Sequence, residues 1–141
     1  MSQTSAKFAP GESIVKKYEH WHVVVRGRQA TLGDVTFVLT RSVDSLGQVT
    51  GEEMSELPQA VAWFEGAVRD LFAPDRIDYS VTLVNDPHVH LDGFPRYSRQ
   101  VERYGKQGHD ADWPGAVAGQ DVETLTREQH HQLIADFASR A

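Results

Sequence analysis

The order of apolar and polar residues in the first half of the chain predicts two strands followed by a long helix. Residues 20–26 and 33–40 are rich in β-branched and aromatic residues and are separated by a polar segment that contains glycine, a pattern typical of strands. Thr50 and Glu53 have the spacing of a capping box, which predicts the start of a helix. Apolar residues then recur at helical spacing and end before Pro74. The predicted apolar stripe consists of Met54, Leu57, Val61, Phe64, Val68 and Leu71.

The second half of the chain predicts a hairpin and a short terminal helix. Residues 77–85 alternate between apolar and polar, and the alternation resumes over residues 88–92 after a turn, which predicts two antiparallel strands. Residues 98–119 are rich in glycine and charge, so we predict a loop there. Thr126 and Gln129 have a second capping-box spacing, which predicts a short C-terminal helix. This order of elements favours an α+β domain with an antiparallel sheet covered by one long helix.

Length and composition limit the classes of protein that fit. The 141 residues suit one domain, and we predict a flexible lead-in over residues 1–17 and a single domain over residues 18–141. A formal net charge of -6 has the wrong sign for neutralising phosphates, so we expect no nucleic-acid partner. The absence of cysteine leaves histidines and carboxylates to carry any chemistry. Without an apolar stretch that fits a membrane span or a signal peptide, we expect a cytoplasmic protein with no membrane partner.

Three titratable residues share one face of the second strand of the predicted hairpin. Because residues two apart in a strand point to the same side, His88, His90 and Asp92 line up in a row. Two imidazoles and a carboxylate are ligands suited to iron, zinc or manganese, so a metal site is one interpretation. In the other interpretation His90 is a nucleophile, because a ring nitrogen can attack a phosphate and divide one transfer into two steps.

The residues around this row resemble the signature of the histidine triad (HIT) family. Residues 85–97 read Asn-Asp-Pro-His-Val-His-Leu-Asp-Gly-Phe-Pro-Arg-Tyr. They are similar to the family motif His-φ-His-φ-His-φ-φ, which Pro-Arg-Tyr often follows in small bacterial members. Residues 32–33, 50–53 and 72–75 are also similar to the family in order and spacing. The resemblance covers roughly residues 18–115.

The resemblance implies an α+β, HIT-like fold with a five-stranded antiparallel sheet, commonly paired into a homodimer. It implies binding of a nucleotide or dinucleotide and cleavage or transfer at the α-phosphate. By position, His90 matches the nucleophile and His88 matches the first triad histidine, which helps to orient the ring. Asn85 matches a position near the phosphates or ribose, and Arg26 matches one where many members have an Asn close to the ribose. Attack by a histidine requires no metal, and we expect no cofactor.

Asp92 is the departure from the family pattern, because the hydrolases have a third His there that donates a hydrogen bond to the phosphate or leaving group. An ionised Asp can only accept, and two negative charges about 4 Å apart repel by roughly 4 kcal/mol at an effective dielectric of 20. Either Asp92 is protonated, or a cation such as Arg96 screens it, or hydrolysis is weak. Gly93 replaces a bulky apolar residue, which we expect to loosen the strand.

The transferase and phosphorylase branches of the family also lack the third His, so its loss does not end nucleotidyl chemistry. We therefore interpret the chain as a nucleotidyl hydrolase or nucleotidyltransferase that acts through a nucleotidyl-His90 intermediate. The catalytic set is His90, His88 and Asp92, and the substrate-binding set is Asn85, Arg26 and Arg96. The alternative is a nucleotide-binding module with weak or no activity.

Overall fold

The structure is a computed structural model, and it describes residues 13–118 and 123–140. These residues form nine strands and two α-helices. The strands are β1 (Ile14–Lys17), β2 (Trp21–Val25), β3 (Arg28–Gln29), β4 (Val35–Leu39), β5 (Arg76–Ser80), β6 (His90–Arg96), β7 (Val101–Arg103), β8 (Lys106–Gly108) and β9 (Glu123–Thr124). The helices are α1 (Gly51–Phe72) and α2 (Arg127–Ala138). No helix in the described ranges has the length and apolar character needed to cross a membrane.

The core of the fold is a five-stranded antiparallel sheet. Its strands are ordered β1-β2-β4-β6-β5, so the three inner strands, β2, β4 and β6, have neighbours on both sides. Every β4 residue is buried, as expected for a strand covered on both faces. The α+β class and the five-stranded antiparallel sheet are thus confirmed. Two small ribbons, β3-β9 and β7-β8, lie outside this sheet.

Strand β1 differs from the predicted lead-in over residues 1–17. Residues 14–17 pair with β2 at the edge of the sheet, and the Val15 side chain is buried in the core. A four-residue strand beside a polar tail is too short to give a clear alternation, which is why the sequence pattern did not separate the two. The rest of the predicted lead-in, residues 1–12, lies outside the described residues.

Helix α1 begins at the predicted capping box. The Thr50 hydroxyl accepts a hydrogen bond from the Glu53 amide at 3.1 Å, and the Glu53 carboxylate accepts one from the Thr50 amide at 2.8 Å. The buried face of α1 is rotated slightly from the predicted stripe, since Met54 is exposed. Ala60 and Ala67 belong to the buried face of α1, and their small side chains let the helix lie close to the sheet.

Helix α2 also begins at its predicted capping box, formed by Thr126 and Gln129. Its Phe137 is fully buried and stacks on Phe64 of α1, with 6.4 Å between the ring centroids. The C-terminal helix therefore completes the core on the α1 side of the sheet. The predicted loop over residues 98–119 differs, because β7 and β8 pair there as a short hairpin.

The predicted hairpin over residues 77–92 exists, but its connection is longer than expected. Strand β5 ends at Ser80, which pairs with Asp92, and β6 begins at His90. Residues 81–89 form the connection, and Val84 in it is fully exposed. β5 is an edge strand that pairs only with β6. Beyond Ser80 it has no described strand to pair with, so the alternating residues 81–85 do not continue the strand.

Candidate active site

Two of the predicted site residues, His90 and Asp92, lie on the face of the central sheet opposite α1. Phe37 packs against Phe64 of α1, and a Cβ at Gly93 would point toward the same ring. Because side chains alternate along a strand, the residues next to Phe37 and Gly93 in sequence point to the other face of the sheet. On that other face, Thr36 lies directly opposite Asp92, and Val38 lies opposite His90. Pairing of β4 with β6 therefore brings residues that are about fifty positions apart in the chain into one polar row.

The His90 ring is held in one tautomer by a backbone carbonyl. Its Nδ1 lies 2.7 Å from the carbonyl oxygen of His88. A carbonyl oxygen only accepts hydrogen bonds, so Nδ1 carries the proton in the neutral ring and Nε2 carries the lone pair. The His90 residue is 6% exposed, which keeps this hydrogen bond away from competing water. His90 Nε2 is thus an oriented nucleophile or base.

His88 precedes β6 and connects the row to β4. Its Nε2 lies 2.7 Å from the carbonyl oxygen of Leu39, so the proton of the neutral ring is on Nε2. The His88 amide donates to Oδ1 of Asp86 at 3.3 Å, and the next amide, that of Val89, donates to the carbonyl of Val43 at 3.0 Å. These bonds fix the peptide whose carbonyl contacts Nδ1 of the His90 ring.

Asp92 is oriented by a hydroxyl that sequence reasoning missed. The Thr36 hydroxyl donates to Oδ1 of Asp92 at 2.8 Å, while Oδ2 of Asp92 lies 3.9 Å from Nε2 of His90. Both Thr36 and Asp92 are buried. The carboxylate therefore faces the same space as the oriented nitrogen of His90.

A second carboxylate lies two residues before Thr36 on the same face. Asp34 is fully buried, and this desolvation raises the pKa of its carboxyl to about 7. The positive charge of Arg26 and backbone hydrogen bonds oppose that rise, whereas the charge of Asp92 adds to it. Alternation along residues 34–38 is the signal that could have found Asp34 and Thr36, since two polar residues on one face of a buried strand need partners.

The turn before β4 positions Asp34. The Gln29 side-chain oxygen accepts from the amides of Gly33 at 2.7 Å and Asp34 at 3.1 Å, and Oδ2 of Asp34 accepts from the amides of Ala30 at 2.7 Å and Thr31 at 3.2 Å. Gly33 has a φ of +89°, and a Cβ there would lie 2.9 Å from the Phe72 ring, so the turn requires glycine.

Arg96 lies apart from the row, at the other end of β6. Its guanidinium is buried, donates to the carboxylate of Asp110 at 2.6 and 3.0 Å, and also contacts Asp78 at 2.8 Å. Four residues of strand, roughly 13 Å, separate it from Asp92. The structure does not support the prediction that Arg96 screens Asp92 or binds substrate. Its contacts give it a structural role instead.

The other two predicted substrate-binding residues are placed differently. Arg26 directly follows β2, close enough to Asp34 for its charge to lower the pKa of that carboxyl. Asn85 is exposed in the connection that leads to His88. The structure therefore brings His90 and Asp92 together, with 3.9 Å between Nε2 of His90 and Oδ2 of Asp92, while the carbonyl of His88 contacts the His90 ring.

The triad does not have the geometry of a metal site. Nε2 of His88 faces the Leu39 carbonyl, and Nδ1 of His90 faces the His88 carbonyl. Among the residues that the structure describes, these three side chains do not form a set whose ligand atoms all lie within 4.8 Å of one another. The His88, His90 and Asp92 metal interpretation is therefore not supported.

A cavity of about 440 Å³ lies away from this row. It is lined by residues of the β7-β8 hairpin, the turn before β4 and the start of α2, and its walls include Leu32, Tyr97, Tyr104 and Leu125. None of His88, His90 and Asp92 lines it.

Gly93 packs on the α1 side of the sheet. A Cβ at this position would lie 3.0 Å from the Phe64 ring, 3.1 Å from Phe37 and 3.3 Å from Tyr79. The three rings therefore occupy the space of the bulky residue that the family pattern has here. The expected loosening of the strand is absent from the pairing, since Gly93 pairs with both Val35 and Tyr79.

Comparison with known proteins finds similarity in structure. No protein-family model matches the sequence, and no curated protein matches it. A histidine triad protein from Sinorhizobium meliloti has a TM-score of 0.78 at 12% identity, over 100% of this chain and 96% of the other. One from Marinobacter aquaeolei has a TM-score of 0.74 at 18% identity, over 99% and 96%. A hypothetical histidine triad nucleotide-binding protein from Sulfolobus tokodaii gives 0.72 at 11%, over 91% and 82%.

Identities this low establish the fold alone. Four solved structures of histidine triad proteins match between 91% and 100% of this chain, with TM-scores between 0.72 and 0.78. The fold that the motif around His90 predicted is therefore confirmed: the chain has the fold of the histidine triad proteins.

Proposed function

We propose that this protein binds a nucleotide and cleaves or transfers it at the α-phosphate through a covalent bond to Nε2 of His90. The observation that carries the proposal is the 2.7 Å contact between Nδ1 of His90 and the His88 carbonyl, which leaves Nε2 with the lone pair. The nucleotide-binding description of the Sulfolobus neighbour, which has the same fold, supports nucleotide as the ligand.

The first step forms one bond and breaks one. The lone pair of His90 Nε2 forms a bond to the α-phosphorus, and the leaving-group oxygen departs with the electron pair of its bond to phosphorus. In the second step, water or another acceptor attacks the same phosphorus, and the electron pair of the nitrogen–phosphorus bond returns to Nε2. Both steps need an oriented ring, which the His88 carbonyl provides.

Asp92 favours one kind of leaving group. An ionised carboxylate 3.9 Å from Nε2 can accept a proton from attacking water in the second step, but it cannot donate one in the first. The leaving group of a phosphoanhydride is a phosphate anion, which needs no proton. The leaving group of a phosphoramidate is an amine, which must be protonated as it departs. We therefore propose a nucleoside polyphosphate or dinucleoside polyphosphate as the substrate class.

Calorimetric titration with AMP, GMP and a non-hydrolysable dinucleotide, together with hydrolysis rates, tests this proposal. We expect binding of at least one nucleotide, hydrolysis of the matching anhydride, and a loss of about 100-fold or more in rate for His90→Gln with affinity largely kept. His109→Gln is the matched control, because His109 is exposed and far from the row along the chain. Full activity of His90→Gln contradicts the mechanism.

Substitution of Asp92 distinguishes the hypothesis of an active enzyme from the hypothesis of an inactive binding module. Asp92→His supplies a proton donor at the third position, and a general acid typically contributes about 10² to 10⁴ in rate. We expect the variant to gain at least tenfold on a nucleoside phosphoramidate and to change less on the anhydride. Nucleotide binding without any gain on either substrate favours the binding module.

A further inference from the structure

A second group of metal-ligand side chains lies where the β1-β2 turn meets α1. Glu19, His20 and Glu56 each present one ligand atom, and these atoms lie within 4.8 Å of one another. In the part of the chain that the structure describes, no other set of three such side chains has this geometry. The group shares no residue with the row that contains His90.

The fold holds two of the three residues in place. The His20 amide donates to Oε1 of Glu56 at 2.7 Å, which ties the turn to α1. The His20 carbonyl accepts from the Thr40 amide at 2.9 Å, which ties the same residue to the end of β4. The turn itself is closed by a 2.8 Å bond from the Tyr18 amide to the Trp21 carbonyl. The ligand set is therefore organised by the backbone before any cation binds.

The side chain of His20 has a buried nitrogen that lacks a hydrogen-bond partner within the described part of the chain. Its Nε2 is buried and forms no hydrogen bond with any described residue, and the side chain is 19% exposed. Oε2 of Glu19 lies 3.9 Å from this nitrogen, beyond hydrogen-bond distance. A buried ring nitrogen without a partner is unfavourable, and a cation between it and the two carboxylates would remove that cost.

We propose that Glu19, His20 and Glu56 bind a divalent transition metal, with zinc as the best fit. Imidazole and carboxylate oxygen are zinc ligands at about 2.0 to 2.2 Å, whereas calcium takes oxygen ligands alone. Two carboxylates balance the charge of the ion, and water fills the fourth position of a tetrahedral site. The ligand atoms lie within 4.8 Å of one another and must move closer together to bind the ion, and the Glu19 side chain, which is 79% exposed, has room to move.

Calorimetric titration of metal-free, untagged protein with zinc chloride tests the site. We expect one zinc per chain and a thermal midpoint that rises by roughly 5–10 °C at about 100 times the dissociation constant, because the ion links the turn to α1. His20→Gln and Glu56→Gln should each weaken binding about tenfold or more. Glu56→Gln keeps an oxygen that accepts from the His20 amide, so its fold is preserved.

Two control variants make the result specific. His109→Gln removes an exposed histidine and should leave zinc affinity unchanged, while His90→Gln tests the other histidine row. The absence of stoichiometric zinc binding overturns the proposal, as does equal affinity in wild type, His20→Gln and Glu56→Gln. Loss of binding in His90→Gln alone also overturns it, because the ion would then lie at the triad.

Discussion

The hydroxyl of Thr36 donates a 2.8 Å hydrogen bond to Oδ1 of Asp92 across the β4-β6 pair. The two residues lie directly opposite each other in the sheet register, so the sheet itself sets the position of the carboxylate. The other oxygen, Oδ2, is left on the side of His90 Nε2. Asp92, the residue that departs from the family pattern, is therefore oriented by a buried hydrogen bond, as is His90 beside it.

Thr36→Val should destabilise the fold by about 1–3 kcal/mol. Valine has nearly the shape of threonine but no hydroxyl, so the buried Oδ1 of Asp92 loses its donor. Urea unfolding at neutral pH measures the change. Thr82→Val, at an exposed position, is the control and should change stability by less than about 0.5 kcal/mol. Equal effects of the two variants would mean that the bond contributes nothing.

Asp34 should make the protein less stable as the pH rises. Its folded pKa of about 7 exceeds the unfolded value of about 3.9, so the folded state keeps a proton that the unfolded state has lost. This contribution is full below about pH 4 and is lost as the pH rises through about 7. Between pH 5 and pH 8 the wild type should lose roughly 2–3 kcal/mol more stability than Asp34→Asn.

The measurement for Asp34 is the free energy of unfolding at those two pH values. Asp44→Asn, which changes an exposed carboxyl, is the control and should follow the wild type. Parallel pH profiles for wild type and Asp34→Asn would show that Asp34 titrates normally.

Arg96→Ala should destabilise the fold by about 3–5 kcal/mol, because it leaves the buried Asp110 carboxylate without its cation. Arg76→Ala removes an exposed arginine from the neighbouring position of β5 and should cost far less. Chemical denaturation compares the two. A stable Arg96→Ala variant with weakened nucleotide binding would instead restore the substrate-binding role that the sequence predicted.

Gly93→Val should cost about 1–3 kcal/mol by overpacking, although a bulky apolar residue suits this position in the family pattern. The rings of Phe37, Phe64 and Tyr79 already occupy the space beside Gly93. Gly108→Val, in a strand where an added Cβ meets nothing within 4 Å, serves as the comparison. Thermal unfolding in which both variants are equally stable would contradict this packing argument.

The sequence predicted the parts of the fold that have strong local signals. Both helices begin at capping boxes formed by Thr50 and Thr126, and the motif around His90 predicted the sheet and the row of site residues. Strand β1 was missed because four residues at a sheet edge carry little periodic signal. Alternation along residues 34–38 indicates that Asp34 and Thr36 share a face, but the pairing of Thr36 with Asp92 depends on which strands become neighbours, which no local pattern reports.

The role of Arg96 could not be predicted for a related reason. A Pro-Arg-Tyr sequence indicates a family position, but the carboxylates that bind the guanidinium come from residues 78 and 110, in two other segments of the chain. Only the folded structure shows that Asp78 and Asp110 are these partners and that the positive charge of Arg96 pairs with them.

Intact-protein mass analysis during turnover tests the central claim, a nucleotidyl group on His90. Wild type and Asp92→Asn are mixed with the anhydride substrate that calorimetry identifies and quenched in alkali, where a phosphorus–nitrogen bond to histidine survives. We expect a mass increase of one nucleotidyl group located on His90, with more of it in Asp92→Asn because the second step loses its proton acceptor. Substrate turnover by both proteins with no adduct, or with an adduct that persists in His90→Gln, would contradict covalent catalysis by His90.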